Sequence, residues 1–323
     1  MAEAGYYLDS FLAPLAPWLA REDVTDIYVN REGEVWIEAL GGVIERHEEP
    51  ALTEKLLTRM ARQVAAYGSQ GISRAQPLLA ASLPDGSRVQ FVSPPATRGG
   101  HVLAIRRHVA SDLSLSDWTD SEAFAGLEAD TVEIGKERRW HSLGERDAET
   151  TLREAVTGRR NIVVSGGTST GKTTFLNALL AEIPPDERLI LIEDTEELRL
   201  KHANAVGLIA ARGKLSEAEV TAEDLLIAAL RMRPDRIILG ELRGHEAFTF
   251  LRAVNTGHPG SMTTIHADTP QRAIEQLALL VLQAGSKLSR EDVRHYVEQS
   301  VDVFVQLERR TGRRRVAQVM VTS

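Results

Sequence analysis

The 323-residue chain contains no cysteine, which excludes disulfides, thiolate zinc sites and a cysteine nucleophile. That absence fits a reducing cytosol. There is no apolar run of about 18 residues, and the N-terminus lacks the basic-then-apolar layout of a signal peptide. The expectation is therefore of peripheral membrane association at most. Nor is there an excess of positive charge: 38 Lys and Arg stand against 46 Asp and Glu, a formal net charge of -8. A generally basic nucleic-acid binder is excluded, and no stable direct nucleic-acid site is expected, although a local basic face stays open. Internal repeats and low-complexity tracts are missing too. What remains, 43% hydrophobic and 26% charged, is ordinary for a globular chain with a sizeable core. At about 150 residues per domain the length suggests two domains.

Along the chain, residues 8–20 predict a short helix through Leu8, Phe11, Leu12, Leu15 and Leu19, weakened by Pro14 and Pro17, with Trp18 in the core. Val24–Val29 and Glu34–Glu38 flank Asn30-Arg31-Glu32-Gly33 and predict a hairpin. A helix over 51–67 and strands over 88–92 and 102–106 complete a small α+β domain, residues 1–110. Residues 111–150 are rich in Asp, Glu, Ser and Thr and predict a connector with one or two short helices; Arg138-Arg139-Trp140-His141 within it predicts a solvated face. Over 151–323, strand and helix alternate: strands 188–193, 206–210, 235–239 and 261–265, helices 221–232, 244–256, 270–284 and 289–299. This predicts an α/β domain with a mostly parallel sheet. A terminal hairpin, 302–307 with 315–320 around Thr311-Gly312, closes it.

Within this domain an apolar strand, Asn161–Ser165, runs into Gly166-Gly167-Thr168-Ser169-Thr170-Gly171-Lys172-Thr173-Thr174 and then into an apolar helix, Phe175–Leu180. Strand, G-x-x-x-x-G-K-T loop and helix together specify a phosphate-binding loop. Gly166 and Gly171 let the chain curl so that its amides point inward at a phosphate. The helix adds the positive end of its dipole. Lys172 is placed to reach β- and γ-phosphates, and the Thr173 hydroxyl to sit on Mg²⁺.

Three further stretches carry candidate chemistry. Ile190-Leu191-Ile192-Glu193-Asp194-Thr195 sets carboxylates at a strand's C-terminal end, where open α/β sheets bind ligands. Glu193 either orients water or metal, or is solvated while Asp194 caps the loop. In Asp235–Glu241 an apolar strand ends in Gly240 and Glu241, where an Asp is usual. Glu241 either polarises the attacking water or holds Mg²⁺ through water, or is a surface strand-end residue. His266, after the small-residue strand 261–265 and before Thr269-Pro270, either senses the γ-phosphate by hydrogen bonding or is structural.

Taken together, these stretches resemble the hexameric secretion ATPase superfamily, closest to the VirB-type traffic ATPases of type IV secretion and conjugation. The resemblance covers nearly the whole chain. It rests on Pro17–Leu19, Val24–Asn30 and Gly33–Trp36 in the first domain, and on the loop 166–174, an Asp box 193–198, a Walker B strand 235–241 and a His box 256–266. Gly240 is usual in the superfamily, and Thr170 stands where many members carry Ser, Gly or Ala.

The resemblance implies a RecA-like second domain, a homohexamer, and ATP with Mg²⁺ bound between the two domains. It also implies docking on inner-membrane secretion-channel components at the cytoplasmic face. Family arginines of the first domain reach the phosphates, which points to Arg106 or Arg107; the alternative is a solvated basic strand end, with Arg138 or Arg139 the next candidates. A type II secretion or type IV pilus motor is the nearest rival, although assembly motors often carry a tetracysteine zinc module that this chain cannot make. A small-molecule kinase and a non-hydrolysing scaffold are the rivals from other classes. The first has no recognisable acceptor pocket or lid, and intact Lys172, Thr173, Glu193 and Glu241 argue against the second.

Overall fold

The computed structural model describes residues 8, 10–40, 42–68, 70–107, 113–132, 140–210, 220–310 and 313–322. The chain divides into two compact units, the first built on the described residues up to 107 and the second on those from 113 onward, each with its own core.

In the first unit, a single 3-10 turn, Ala13–Leu15, leads into helix α1, Ala16–Leu19. The prolines predicted to weaken this helix stand at the openings of these two short pieces, where a missing N–H does no harm. Trp18 is buried against the His47 ring, 5.5 Å between centroids. Strands β1 Val24–Val29, β2 Glu34–Ala39, β3 Ile44–Glu48, β4 Leu78–Ser82, β5 Arg88–Val92 and β6 Val102–Arg106 form one antiparallel sheet in the order β3-β2-β1-β6-β5-β4. Helix α2, Glu54–Tyr67, starts where the Thr53 hydroxyl accepts the Leu56 N–H. Its residues Leu57, Met60, Ala61 and Val64 fall at helical spacing on one face and share a core cluster with Ile27, Val35, Phe91 and Ile105 of the sheet.

The second unit is built on nine strands in the order β11-β10-β12-β13-β9-β14-β15-β8-β7. These are β7 Asp130–Val132, β8 Trp140–Ser142, β9 Ile162–Gly166, β10 Leu189–Glu193, β11 Ala205–Ile209, β12 Arg236–Leu242, β13 Met262–Ile265, β14 Val303–Arg310 and β15 Arg313–Thr322. From β11 to β14 every neighbouring pair is parallel; β15, β8 and β7 then continue antiparallel. Every residue of β9, β10 and β13 is buried, as apolar runs must be when both faces of a parallel sheet are covered. Alternate strand residues feed two cores. Val163, Ile190, Ile237 and Phe304 join Leu226, Phe250, Leu277 and Val293 on one face; Val164, Leu191, Ile238 and Val305 join Trp118, Leu152, Phe175 and Leu179 on the other. The α/β class with a mostly parallel second sheet is thus as the sequence predicts.

The predicted connector is not a spacer. Helix α3, Leu115–Asp120, opens with a Ser114–Asp117 capping box, and helix α4, Glu145–Thr157, follows β7 and β8. Leu115, Trp118, Phe124 and Leu152 pack under the second sheet. Polar residues occupy the caps and exposed faces here, which hides a few widely spaced apolar anchors. Trp140, read as part of a solvated face, is fully buried 5.5 Å from the Phe304 ring. Arg138, Arg139, Thr311 and Gly312 lie outside the described residues.

Candidate active site

The parallel strands β9, β10, β12 and β13 bring Gly166, Glu193, Glu241 and His266 to one rim of the sheet. At the end of β9 the chain curls through Ser169 at φ 60° and Gly171 at φ 94°, both left-handed, into helix α5, Lys172–Leu180. Glycine is required at 166 on steric grounds: a Cβ there would stand 2.5 Å from the Thr170 hydroxyl and 2.9 Å from the Leu307 carbonyl oxygen. The Thr170 hydroxyl donates to the Gly167 carbonyl at 2.9 Å, which braces the loop from within. Among the described residues no side chain caps α5, so its first N–H groups have no intrahelical acceptor.

Lys172 folds back across the loop. Its Nζ donates to the Gly166 and Gly167 carbonyls at 3.0 and 3.1 Å and lies 3.3 Å from His266 Nε2 and 3.9 Å from Glu241 Oε1. Burial presses its pKa below the ordinary lysine value; the Arg243 cation adds to this and the Glu241 and Glu197 carboxylates oppose it. Burial and the Lys172 charge likewise lower His266, keeping the imidazole neutral near pH 7.

Glu241 reaches this cluster because β12 carries a bulge. Leu239 pairs with Thr263 and Leu242 with Ile265, so two residues, Gly240 and Glu241, face Thr264 alone. The Thr264 hydroxyl donates to the Gly240 carbonyl at 2.7 Å and pins the bulge. Bulges re-aim side chains in this way, and that is the physical content of a Gly-Glu end where Asp is usual. Glu241 Oε2 accepts from Arg243 Nε at 2.5 Å. Its Oε1 lies 3.0 Å from His266 Nε2 and is buried, yet makes no hydrogen bond among the described residues.

Glu193, offered alongside Glu241 from sequence, has a different setting. It is buried, and its Oε1 accepts the N–H groups of Glu197 and Leu198 at 2.9 and 2.7 Å. Burial pushes its carboxyl up to about 7 against the lowering effect of those N–H groups. The turn it ties down presents Glu197, whose Oε2 accepts from the Thr173 hydroxyl at 2.9 Å. Asn177 of α5 fixes the same turn, donating to the Glu197 carbonyl at 3.1 Å and accepting the Arg199 N–H at 2.9 Å. Glu197 and Arg243 are the site residues that the strand-end rule misses. Both lie in the turns just beyond the strand ends, two to four residues past the positions the rule selects.

The donor set suits a hard cation. Thr173 and Glu197 offer a hydroxyl and a carboxylate, and Glu241 Oε1 is an acceptor without a donor among the described residues. Among the described residues no group of three or more His, Asp or Glu side chains forms a metal cage. Mg²⁺ needs none, since it keeps its waters and takes one or two protein ligands beside substrate phosphates.

Arg106 and Arg107 belong to the first unit. Arg106 Nε pairs with Asp26 at 2.9 Å while its side chain stays half exposed. Arg107 donates to the Arg21 carbonyl and, at 3.2 Å, to that of Val24.

The family model for Type II/IV secretion system protein matches residues 11–314. The chain belongs to that family. Among relatives in it, the type IV secretion system protein VirB11 of Bartonella henselae is 37% identical, over 95% of this chain and 91% of that one. The type IV secretion system protein PtlH of Bordetella pertussis is 41% identical, over 97% and 94%. The crystal structure of the VirB11 ATPase of the Brucella suis type IV secretion system, in complex with sulphate, superposes with a TM-score of 0.50 at 36% identity, covering 98% of this chain and 95% of that one. The second unit has the RecA-like ATPase fold of this family. Among the described residues no helix is long and apolar enough to cross a membrane.

Proposed function

We propose that the chain is an ATP-hydrolysing motor of a type IV secretion or conjugation system, acting as a homohexamer on the cytoplasmic face of the inner membrane and docking on components of the secretion channel. The observation that carries the hydrolytic part is the convergence of Lys172, Glu241 and His266 at the mouth of the phosphate loop. The relatives named for type IV secretion favour that system over the type II secretion or type IV pilus motor, the second reading.

The loop amides from Gly167 to Thr174 cradle the phosphates, and Lys172 leaves its two loop carbonyls to place its charge on the β- and γ-oxygens. Glu241 Oε1, which has no hydrogen bond among the described residues, accepts one from the attacking water and aligns it with the γ-phosphorus. Neutral His266, beside both Lys172 and Glu241, is placed to register the γ-phosphate. Thr173 and Glu197 would hold Mg²⁺, with Glu241 acting through water. The bound ion supplies charge neutralisation on the β- and γ-phosphates. Glu193 serves by fixing the turn that presents Glu197. Of the two arginines in the first unit, Arg106 is the better candidate for the phosphate contact implied by the resemblance: it is paired with Asp26 but its side chain stays half exposed, whereas Arg107 is held by two main-chain carbonyls.

The test is phosphate release from ATP by the full chain and by Lys172→Ala. The wild type should turn over, and the variant should lose at least about a hundredfold, the scale of removing one preorganised charge from a transition state. Equal rates would overturn the assignment.

A further inference from the structure

The hairpin of β14 and β15 carries five arginines, Arg309, Arg310, Arg313, Arg314 and Arg315. Leu307 pairs with Gly166, so the hairpin runs past the end of β9 alongside the phosphate loop. Arg309 and Arg314 stand directly opposite each other, hence on one face, where like charges repel. That face is the one from which Leu307 and Val316 pack with Trp118 and Phe175, the side of α5. Arg314 lies across Gly171: a Cβ on that glycine would come within 2.9 Å of Arg314 Cδ, 3.4 Å of its Nε and 3.4 Å of the Trp118 ring.

The neighbouring Arg315 has a carboxylate, Glu308 at 3.2 Å, and the Ala125 carbonyl at 3.2 Å. Arg314 makes no hydrogen bond or ion pair among the described residues. Burial and the Arg309 charge both disfavour its charged form. Its side chain therefore shares the space over Gly171, the residue that opens α5, with the Trp118 ring, and it feels the Arg309 charge. Such a setting is completed by an anion, and the guanidinium fork matches phosphate oxygens. Burying the cation without one is unfavourable.

We propose that Arg314 is a phosphate-binding residue of the nucleotide site, supplied by the C-terminal hairpin instead of the phosphate loop. The inference rests on the nucleotide reading above. It also explains Gly171 beyond its left-handed φ, since any side chain there would displace the arginine.

The experiment is calorimetric titration of the full chain with ADP and with tripolyphosphate, which lacks base and sugar, alongside melting of the ligand-free protein. Arg314→Met should weaken both ligands by about tenfold or more, the scale of one charge-assisted contact. Arg314→Lys should recover part of that. Ligand-free Arg314→Met should melt no lower than wild type, because an unpaired cation has been removed. Unchanged affinities would overturn the proposal. So would loss of ADP with tripolyphosphate retained, which would assign Arg314 to the nucleoside. A fall in ligand-free melting shared equally by the Met and Lys variants would mark a packing role and overturn it too. A wild type that binds neither ligand would overturn the nucleotide reading itself.

Discussion

The two rims of the parallel sheet solve the same problem in opposite ways. At the rim where the strands begin, Arg236 is fully buried, and its fork meets Glu187 through Nε at 2.7 Å and Nη2 at 2.8 Å, while Nη1 donates to the Val156 carbonyl at 2.7 Å. Asn161 beside it donates to the Ser300 carbonyl at 2.8 Å and accepts the Gly260 N–H at 2.9 Å. Donors and acceptors there are matched. At the rim where the strands end, a lysine rests on loop carbonyls, and among the described residues a carboxylate oxygen has no donor and a helix start has no side-chain cap. A saturated polar rim can only hold the fold together. An unsaturated one keeps hydrogen-bonding capacity for something that arrives.

Breaking each rim should therefore produce different failures. The largest effect is expected at the saturated rim. Glu187→Gln leaves Arg236 buried beside a neutral partner and should destabilise the second unit by about 3–5 kcal/mol, read as a shifted denaturant midpoint. Replacing both partners together, Arg236→Met with Glu187→Leu, should restore most of that loss. A single variant as stable as wild type would remove the contrast.

At the other rim Glu241→Gln should lower turnover by about 10²–10³, on the order of 3–4 kcal/mol of barrier, with the melting temperature unmoved and ATP affinity within about tenfold. Lost stability with normal turnover per bound nucleotide would reverse the roles.

The smallest effect sharpens the comparison at Glu193, a carboxylate on the working rim but saturated like those on the other. Its folded-state pKa is raised from 4.5 to about 7. The folded chain therefore binds the extra proton, and stability falls as pH climbs from about 4.5 through 7, by at most about 3 kcal/mol. Protonated on Oε2, Glu193 still accepts both N–H groups at Oε1. Glu193→Gln should therefore keep the turn and flatten this part of the stability–pH curve. An unchanged slope would show that another group sets it.

The parallel half of the fold was legible because a strand covered on both faces must be apolar throughout, as in Ile162–Val164 and Leu189–Ile192. Edges were not. β3, Ile44-Glu45-Arg46-His47-Glu48, is an edge strand with no buried face, and β4, Leu78-Leu79-Ala80-Ala81-Ser82, lacks β-branched residues, so neither carries a periodic signal. The phosphate loop was legible because its glycines answer local geometry. Glu197 was not, because its place at Thr173 depends on a turn held by Glu193 and Asn177. The Glu241 position shows the limit from the other side: the residue type was readable, whereas the bulge that aims it depends on pairing with β13.

The order of strands also bears on how the chain is made. β9, which carries the phosphate loop, lies between β13 and β14, and Ser165 bonds to Gln306, 141 residues later, at 2.6 Å. At about 5–20 residues per second, on the order of ten seconds of ribosomal synthesis separate the two. Throughout that interval the apolar strand Ile162–Val164 has one edge that nothing yet synthesised can pair, the template on which growing chains aggregate. Nascent chains that have not yet delivered β14 should therefore depend on chaperones to cover that edge.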